Sequence, residues 1–281
     1  AAVLALRAGS PPVEVPLRTL PLPERFIGDD YVLVEIVRGA TTMTMLLDTG
    51  LTAPVMLSRA ACTRVGLTER ADGADQQGIG ATGSISMQCM DLDDTSIRGT
   101  GTSALTLPLG RMAGVIVEDF PQRKIGEEVG VAIHGMLGQG FLELCDLELD
   151  RASGLLRAWP PGEVPEEQPG WSSLSALRLP GNLQALLLSI PGGLESVVGI
   201  VDTGASHTVL NKQAAYVLGL DATSAKSGMQ GRSVRGIGMD NTALEMPLVT
   251  VKNATLCGAA EVAITPHSGN GAGGSKSWSF R

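Results

Sequence analysis

Hydrophobic positions along this chain gather in short strand-like runs that alternate with polar residues and stop at Gly, Pro, Asn or Asp. Tyr31 to Val37 and Thr42 to Leu47 form two such runs around a turn. Leu183 to Ile190, a Pro-Gly-Gly turn and Leu194 to Val201 repeat the plan, so a hairpin is predicted in each place. After each hairpin come Asp-Thr-Gly, a short apolar strand, a helical segment containing Ala (Ser58 to Val65, Asn211 to Leu218), a Gly-Leu pair and a Gly-Ile-Gly. The Asp-Thr-Gly tripeptides, 48–50 and 202–204, are offset by 154 residues and the Gly-Leu pairs by 153. This is a duplicated domain rather than a short solenoid repeat. The prediction is an all-β chain, mostly strand, in two related lobes.

Composition refines that picture. A length of 281 residues gives each lobe enough chain for its own core, and with aromatics at 3% those cores must be aliphatic. Net charge is −8, and the 21 basic residues form no cluster, which argues against a nucleic-acid partner. No apolar run approaches the roughly 20 residues that span a bilayer. Cys62, Cys89, Cys145 and Cys257 lack C-x-x-C spacing, and His134, His207 and His267 are scattered, so no zinc pattern emerges and buried free thiols are favoured over disulfides. The chain starts at Ala1 without Met, which fits removal of a targeting peptide or propeptide and leaves the compartment open.

The chemistry sits in the two loops. Leu46-Leu47-Asp48-Thr49-Gly50 and Ile200-Val201-Asp202-Thr203-Gly204 each deliver a carboxylate from an apolar strand, with a Gly that permits a tight turn and a Thr hydroxyl able to lock loop to loop. Peptide hydrolysis without a metal or a covalent intermediate needs one carboxylate to deprotonate water and another acid to protonate the carbonyl oxygen. Two loops in matching contexts therefore point to one pair, Asp48 and Asp202. This arrangement resembles the aspartic protease family, with lobes more similar to retropepsin-like proteases than to pepsin. The resemblance covers roughly residues 28 to 265. It implies that Thr49 and Thr203 bond across a pseudo-twofold axis, with Gly50, Gly204 and Ser206 supporting the loops. It implies that Met136-Leu137-Gly138 packs behind the first catalytic loop and continues into a closing hairpin through Phe141 to Leu149 and Leu155. It further implies an interlobe cleft that takes an extended peptide or protein substrate, with no metal or organic cofactor. Gly78-Ile79-Gly80 and Gly236-Ile237-Gly238 are the flap candidates.

Other motifs carry less. Gly78 to Gly83 matches G-x-G-x-x-G without the following helix of a dinucleotide site. Ser206-His207 lacks the G-x-S-x-G elbow, and adjacent side chains are not expected to aim at one another. Asp91 to Asp94 lacks the spaced oxygen ligands of a calcium loop. Glu118-Asp119 and Glu127-Glu128 read as solvated faces.

The expected organisation is an N-terminal extended arm (1–27), lobe one (28–158), a Pro- and Glu-rich connector (159–171), lobe two (172–267) and a Gly- and Ser-rich tail (268–281). Lobe two is expected to be incomplete. Ala259 to Thr265 matches Met112 to Glu118 in pattern, and no hydrophobic-hydrophobic-Gly string follows it. Completion is expected from a longer C-terminus or from a partner chain. A non-catalytic, protease-like binding or scaffolding subunit is the rival reading, supported by Leu51 at a position where the family has Ala, Ser or Thr. Leu51 and Ala205, both apolar, follow the tripeptides and predict a pH optimum well above pepsin's.

Overall fold

The structure is a computed structural model that describes residues 9, 11–23, 28, 30–71, 75–79, 84–98, 106–108, 111–165, 174–220, 233–238, 242–249, 251, 253–257, 262–264 and 278–280. The chain begins with β1 (Val13–Pro16) and β2 (Arg18–Pro21), then the hairpin of β3 (Asp30–Arg38) and β4 (Thr41–Leu47). Next come β5 (Val55–Ser58), α1 (Arg59–Arg64), β6 (Asp75–Ile79), β7 (Ser84–Leu92), β8 (Thr95–Arg98), β9 (Thr106–Pro108) and β10 (Met112–Val117). This half closes with α2 (Pro121–Glu128), β11 (Gly135–Leu137), α3 (Gln139–Leu142) and the hairpin of β12 (Asp146–Asp150) and β13 (Leu155–Trp159). The second half holds β14 (Leu177–Arg178), β15 (Gln184–Ser189), β16 (Val197–Ile200), α4 (Lys212–Val217), β17 (Ser233–Ile237), β18 (Ala243–Pro247), β19 (Ala254–Cys257), β20 (Val262–Ile264) and β21 (Trp278–Phe280). The protein is mostly β, as the alternation predicts.

A large sheet runs β6-β7-β10-β5-β11-β4-β3-β8-β9, with β2 also on β3. Its central strands are apolar on both faces. Met43, Met45 and Leu47 of β4 enter one core cluster, while Leu46 enters the other with Tyr31, Leu33, Phe120 and Met136. A two-residue period sends neighbours to opposite faces, so a nearly continuous apolar run marks a strand covered on both sides. The clusters are mostly aliphatic, with Tyr31, Phe120 and Phe141 as their aromatic members, and each fully buried Leu contributes about 1.5–3 kcal/mol.

The second half repeats the pairings of the first. β15 pairs β14, β16 and β19 as β3 pairs β2, β4 and β8; β17 pairs β18 as β6 pairs β7; β20 pairs β19 as β9 pairs β8. Ser58 caps α1 by accepting from the Ala61 N–H (3.2 Å), and Asn211 caps α4 by accepting from the Ala214 N–H (2.8 Å). The repeat stops there. Among the described residues the second half has no counterpart of β5, β10 or β11, and 208–211 form no strand. Consequently Val198, Ile200 and Val209 are 52, 50 and 56% exposed, whereas their counterparts Thr44, Leu46 and Val55 are buried.

Four expectations change. Ala259 to Thr265 does not reproduce Met112 to Glu118, because its described strand β20 pairs like β9, and pairing partners rather than residue pattern decide equivalence. The closing hairpin is present as β12–β13 but starts later, at Asp146, because Phe141 and Leu142 donate to the Gly138 carbonyl in α3. The N-terminal arm is extended but belongs to the sheets, since β1 pairs β13 and β2 pairs β3. The end of the tail is also structured, with Leu147 opposite Phe280 and Leu149 opposite Trp278 in β12 and β21. Residues 265–277, with most of the Gly- and Ser-rich stretch, lie outside the described residues.

Candidate active site

Asp48 follows β4 and is held from behind. Its N–H donates to the Leu137 carbonyl (2.9 Å), and β11 runs parallel to β4 with Met136 opposite Leu46. Met136, Leu137 and Gly138 thus lie directly behind the Asp48 loop. Gly138 is required there, since a Cβ would come within 2.3 Å of the Ala53 carbonyl oxygen and 2.4 Å of that of Leu51. Gln139, which no motif of the sequence marks, is buried and donates through Nε2 to the Thr49 carbonyl (2.7 Å). A lone amide directly after an apolar string is the signal that could have revealed it, because a buried amide must find a partner.

The two loops clasp each other reciprocally. The Thr49 N–H donates to Thr203 Oγ1 (3.1 Å) and the Thr203 N–H to Thr49 Oγ1 (2.9 Å). Thr49 Oγ1 donates to the Val201 carbonyl (2.6 Å) and Thr203 Oγ1 to that of Leu47 (2.7 Å). Removing either hydroxyl strands an N–H and a carbonyl, which costs about 1–3 kcal/mol. Thr49→Ala and Thr203→Ala should each lower the melting temperature. An unchanged melting temperature would count against the clasp.

That clasp brings the carboxyls together. A Cβ on Gly50 would lie 2.6 Å from Asp202 Cγ and one on Gly204 2.4 Å from Asp48 Cγ, so each acid occupies the space left by the other loop's glycine. The Gly50 N–H donates to Asp48 Oδ1 (2.9 Å), and the Gly204 and Ala205 N–H groups donate to Asp202 Oδ1 (2.8 and 3.2 Å). The environments differ. Asp48 is buried and Asp202 is exposed. Burial first and the Asp202 charge second push the Asp48 carboxyl up to about 7, against the opposing hydrogen bond from Gly50.

Ser206 stands four residues past Asp202 and accommodates more than expected. Its Oγ lies 3.0 Å from His207 Nδ1, because the tight bend turns these neighbouring side chains toward each other. A cavity of about 420 Å³ opens beside Asp202, with Leu186, Leu188, Ile200 and Leu256 among its walls.

The flap candidates lie on two hairpins. Gly78 and Ile79 end β6 opposite β7, and Gly236 and Ile237 end β17 opposite β18, with Gly238 N–H donating to Thr242 (3.0 Å). In each hairpin a Met methyl covers the Gly: a Cβ would meet Met87 Cε at 2.6 Å or Met246 Cε at 2.5 Å. Gly80 lies outside the described residues. The rejected acids have basic partners, with Asp91 paired to Arg111 (2.6 Å), Asp93 to Arg38 (3.0 Å) and Asp119 to Arg123 (2.6 Å). Cys62, Cys89 and Cys145 are buried free thiols. Among the described residues no helix is long and apolar enough to cross a membrane, and no three His, Cys, Asp or Glu gather as metal ligands.

Comparison with known proteins adds the following. No curated protein matches the chain. The crystal structure of conglutin gamma, a basic 7S globulin from lupine seeds, is similar with a TM-score of 0.46 and 11% identity, over 90% of this chain and 82% of that one. Residues 32–141, from β3 through the Asp48 loop and its backing string to α3, match the aspartyl protease family model, and an aspartic protease family is what this match supports.

Proposed function

We propose that this protein is an aspartic endopeptidase with two retropepsin-like lobes, close to 28–158 and 172–267, whose catalytic pair is Asp48 and Asp202. The reciprocal clasp carries the reading, because it places two carboxyls with different surroundings in one site. Asp48, which holds its proton up to about 7, suits the acid role, and the open Asp202 suits the base. A water held between them loses a proton to Asp202 as its oxygen attacks the peptide carbonyl carbon, while Asp48 protonates the carbonyl oxygen. Collapse of the resulting gem-diol returns one hydroxyl proton to Asp48 as the C–N bond breaks, and the proton on Asp202 passes to the leaving amine. The proposed substrate is an extended peptide or protein segment, with the hairpins β6–β7 and β17–β18 as flaps.

A second reading, a non-catalytic protease-like binding subunit, is favoured by the exposed Asp202 and by the apolar side chains bared on the second half. In either reading the side of β16 that pairs with no strand among the described residues suits a completing strand, from elsewhere in the chain or from a partner, in the register that Met136 keeps with Leu46. Hydrolysis of a mixed peptide library with and without pepstatin separates the two. Pepstatin-sensitive cleavage is the expected result, and intact peptides would leave the binding subunit.

A further inference from the structure

The two carboxylate loops are unequally supported. Behind Asp48 the Gly138 N–H donates to the Pro54 carbonyl (3.0 Å) and the Gln139 N–H to that of Leu51 (2.8 Å). Behind Asp202 no strand of the second half takes that place among the described residues, and Ile200, which leads into the loop, is 50% exposed. The first half touches this loop instead, at Gly28 shortly before β3. A Cβ on Gly28 (φ +107°) would lie 1.9 Å from the Ser206 carbonyl oxygen and 2.8 Å from Ser206 Cβ, so the two segments meet only because this residue has no side chain. The contact has a twofold counterpart. Shortly before β15, a Cβ on Gly181 (φ +75°) would lie 2.6 Å from Thr52 Cγ2. Gly28 and Gly181 are 153 residues apart, and Thr52 and Ser206 are 154 apart, the offsets of the duplication. Each half thus rests a glycine on the other half's loop, four residues past its acid.

We infer that Gly28 is a positioning residue for the carboxyl pair: by seating the first half on the Ser206 carbonyl it holds the Asp202 loop against Asp48. The inference rests on the protease reading. Movement at Ser206 reaches the acid through its neighbour, because the Ala205 N–H donates to Asp202 Oδ1 (3.2 Å). The threonine clasp ties the loops at Thr49 and Thr203, whereas Gly28 meets the Asp202 loop beyond it. Gly181 has the lesser part. Thr52 presents a methyl that can turn away where Ser206 presents backbone, and the Asp48 loop already has β11 behind it.

Gly28→Ala should push Ser206, and with it Asp202, out of line, lowering kcat by on the order of 10²-fold with a smaller change in KM. The Asp48 carboxyl should titrate lower by about half a pH unit or more, since Asp202 is the charged group that raises it, against the N–H groups of Gly50 and Leu51. A carbon-13 NMR titration reads that shift without turnover. Gly192→Ala is the control, because φ +82° also strains an alanine while its Cβ would meet nothing within 4 Å. Its melting temperature should fall, with kcat and the titration unmoved. Gly181→Ala should lower kcat less, and Thr52→Ala, which removes the methyl in the way, should restore it. An inactive wild type in which Gly28→Ala still lowers the Asp48 titration would overturn the protease reading and keep the Gly28 assignment. A Gly28→Ala protein that matches Gly192→Ala, less stable with kcat and titration unmoved, would reduce Gly28 to a strained turn and overturn the inference. Should Gly28→Ala fail to fold, the wild type decides through the NOE expected between Gly28 Hα and Ser206 Hβ, whose absence would overturn it equally.

Discussion

Asp48→Asn and Asp202→Asn are each expected to reduce peptide hydrolysis by on the order of 10³-fold or more while leaving the fold in place. Neither carboxyl can take both the acid and the base role, so losing one removes water activation as completely as losing both. The double variant should match the singles, since residues acting as a unit do not add. The fold should survive because the backbone and threonine hydrogen bonds of the clasp do not involve the carboxyl oxygens. Asp202→Asn should also lower the pH at which Asp48 titrates, because the Asp202 charge is the second cause of its raised value. Substantial turnover in either single variant would end the pair assignment.

The second large effect is on pH dependence. Asp48 in the folded protein keeps its proton up to about 7, whereas an unfolded Asp loses it near 4. Hydrolysis should therefore fall as pH rises through about 7, and the maximum should lie in the mildly acidic to near-neutral range. A maximum near pH 2 would refute the argument. Stability follows with the same sign. Below about 4 both states are protonated and Asp48 costs nothing; between about 4 and 7 the unfolded chain has released a proton that the folded chain retains, so stability drops as pH rises. Asp48→Asn has no charge to bury. Its melting temperature should equal or exceed that of the wild type at pH 8, by an amount that shrinks toward pH 4. An effect on the order of 1 kcal/mol corresponds to about 2–4 °C in a chain of this size. A gap that widens toward acid would show that Asp48 is not the buried, proton-holding member.

Features governed by neighbours along the chain are legible in the sequence itself. Two-residue alternation gives the hairpins β3–β4 and β15–β16, Ser58 and Asn211 announce their helices, and the duplicated Asp-Thr-Gly loops reveal both the repeat and the candidate pair. Met136-Leu137-Gly138 is legible too, as an apolar string whose Gly has no room for a side chain. Features that depend on partners distant in the chain are not. Gln139 on the Thr49 carbonyl and the seat of β21 on β12 join residues separated by dozens of positions or more, and no local pattern encodes such contacts. Strand equivalence fails for the same reason: Ala259 to Thr265 looks like Met112 to Glu118 by composition, yet a strand's place in a sheet is set by the edge it finds. The difference between the two acids belongs here as well. Their tripeptides are identical, so sequence alone makes Asp48 and Asp202 equals; β11 and its cluster shut water away from the Asp48 loop, and that burial is the largest cause of the raised Asp48 carboxyl.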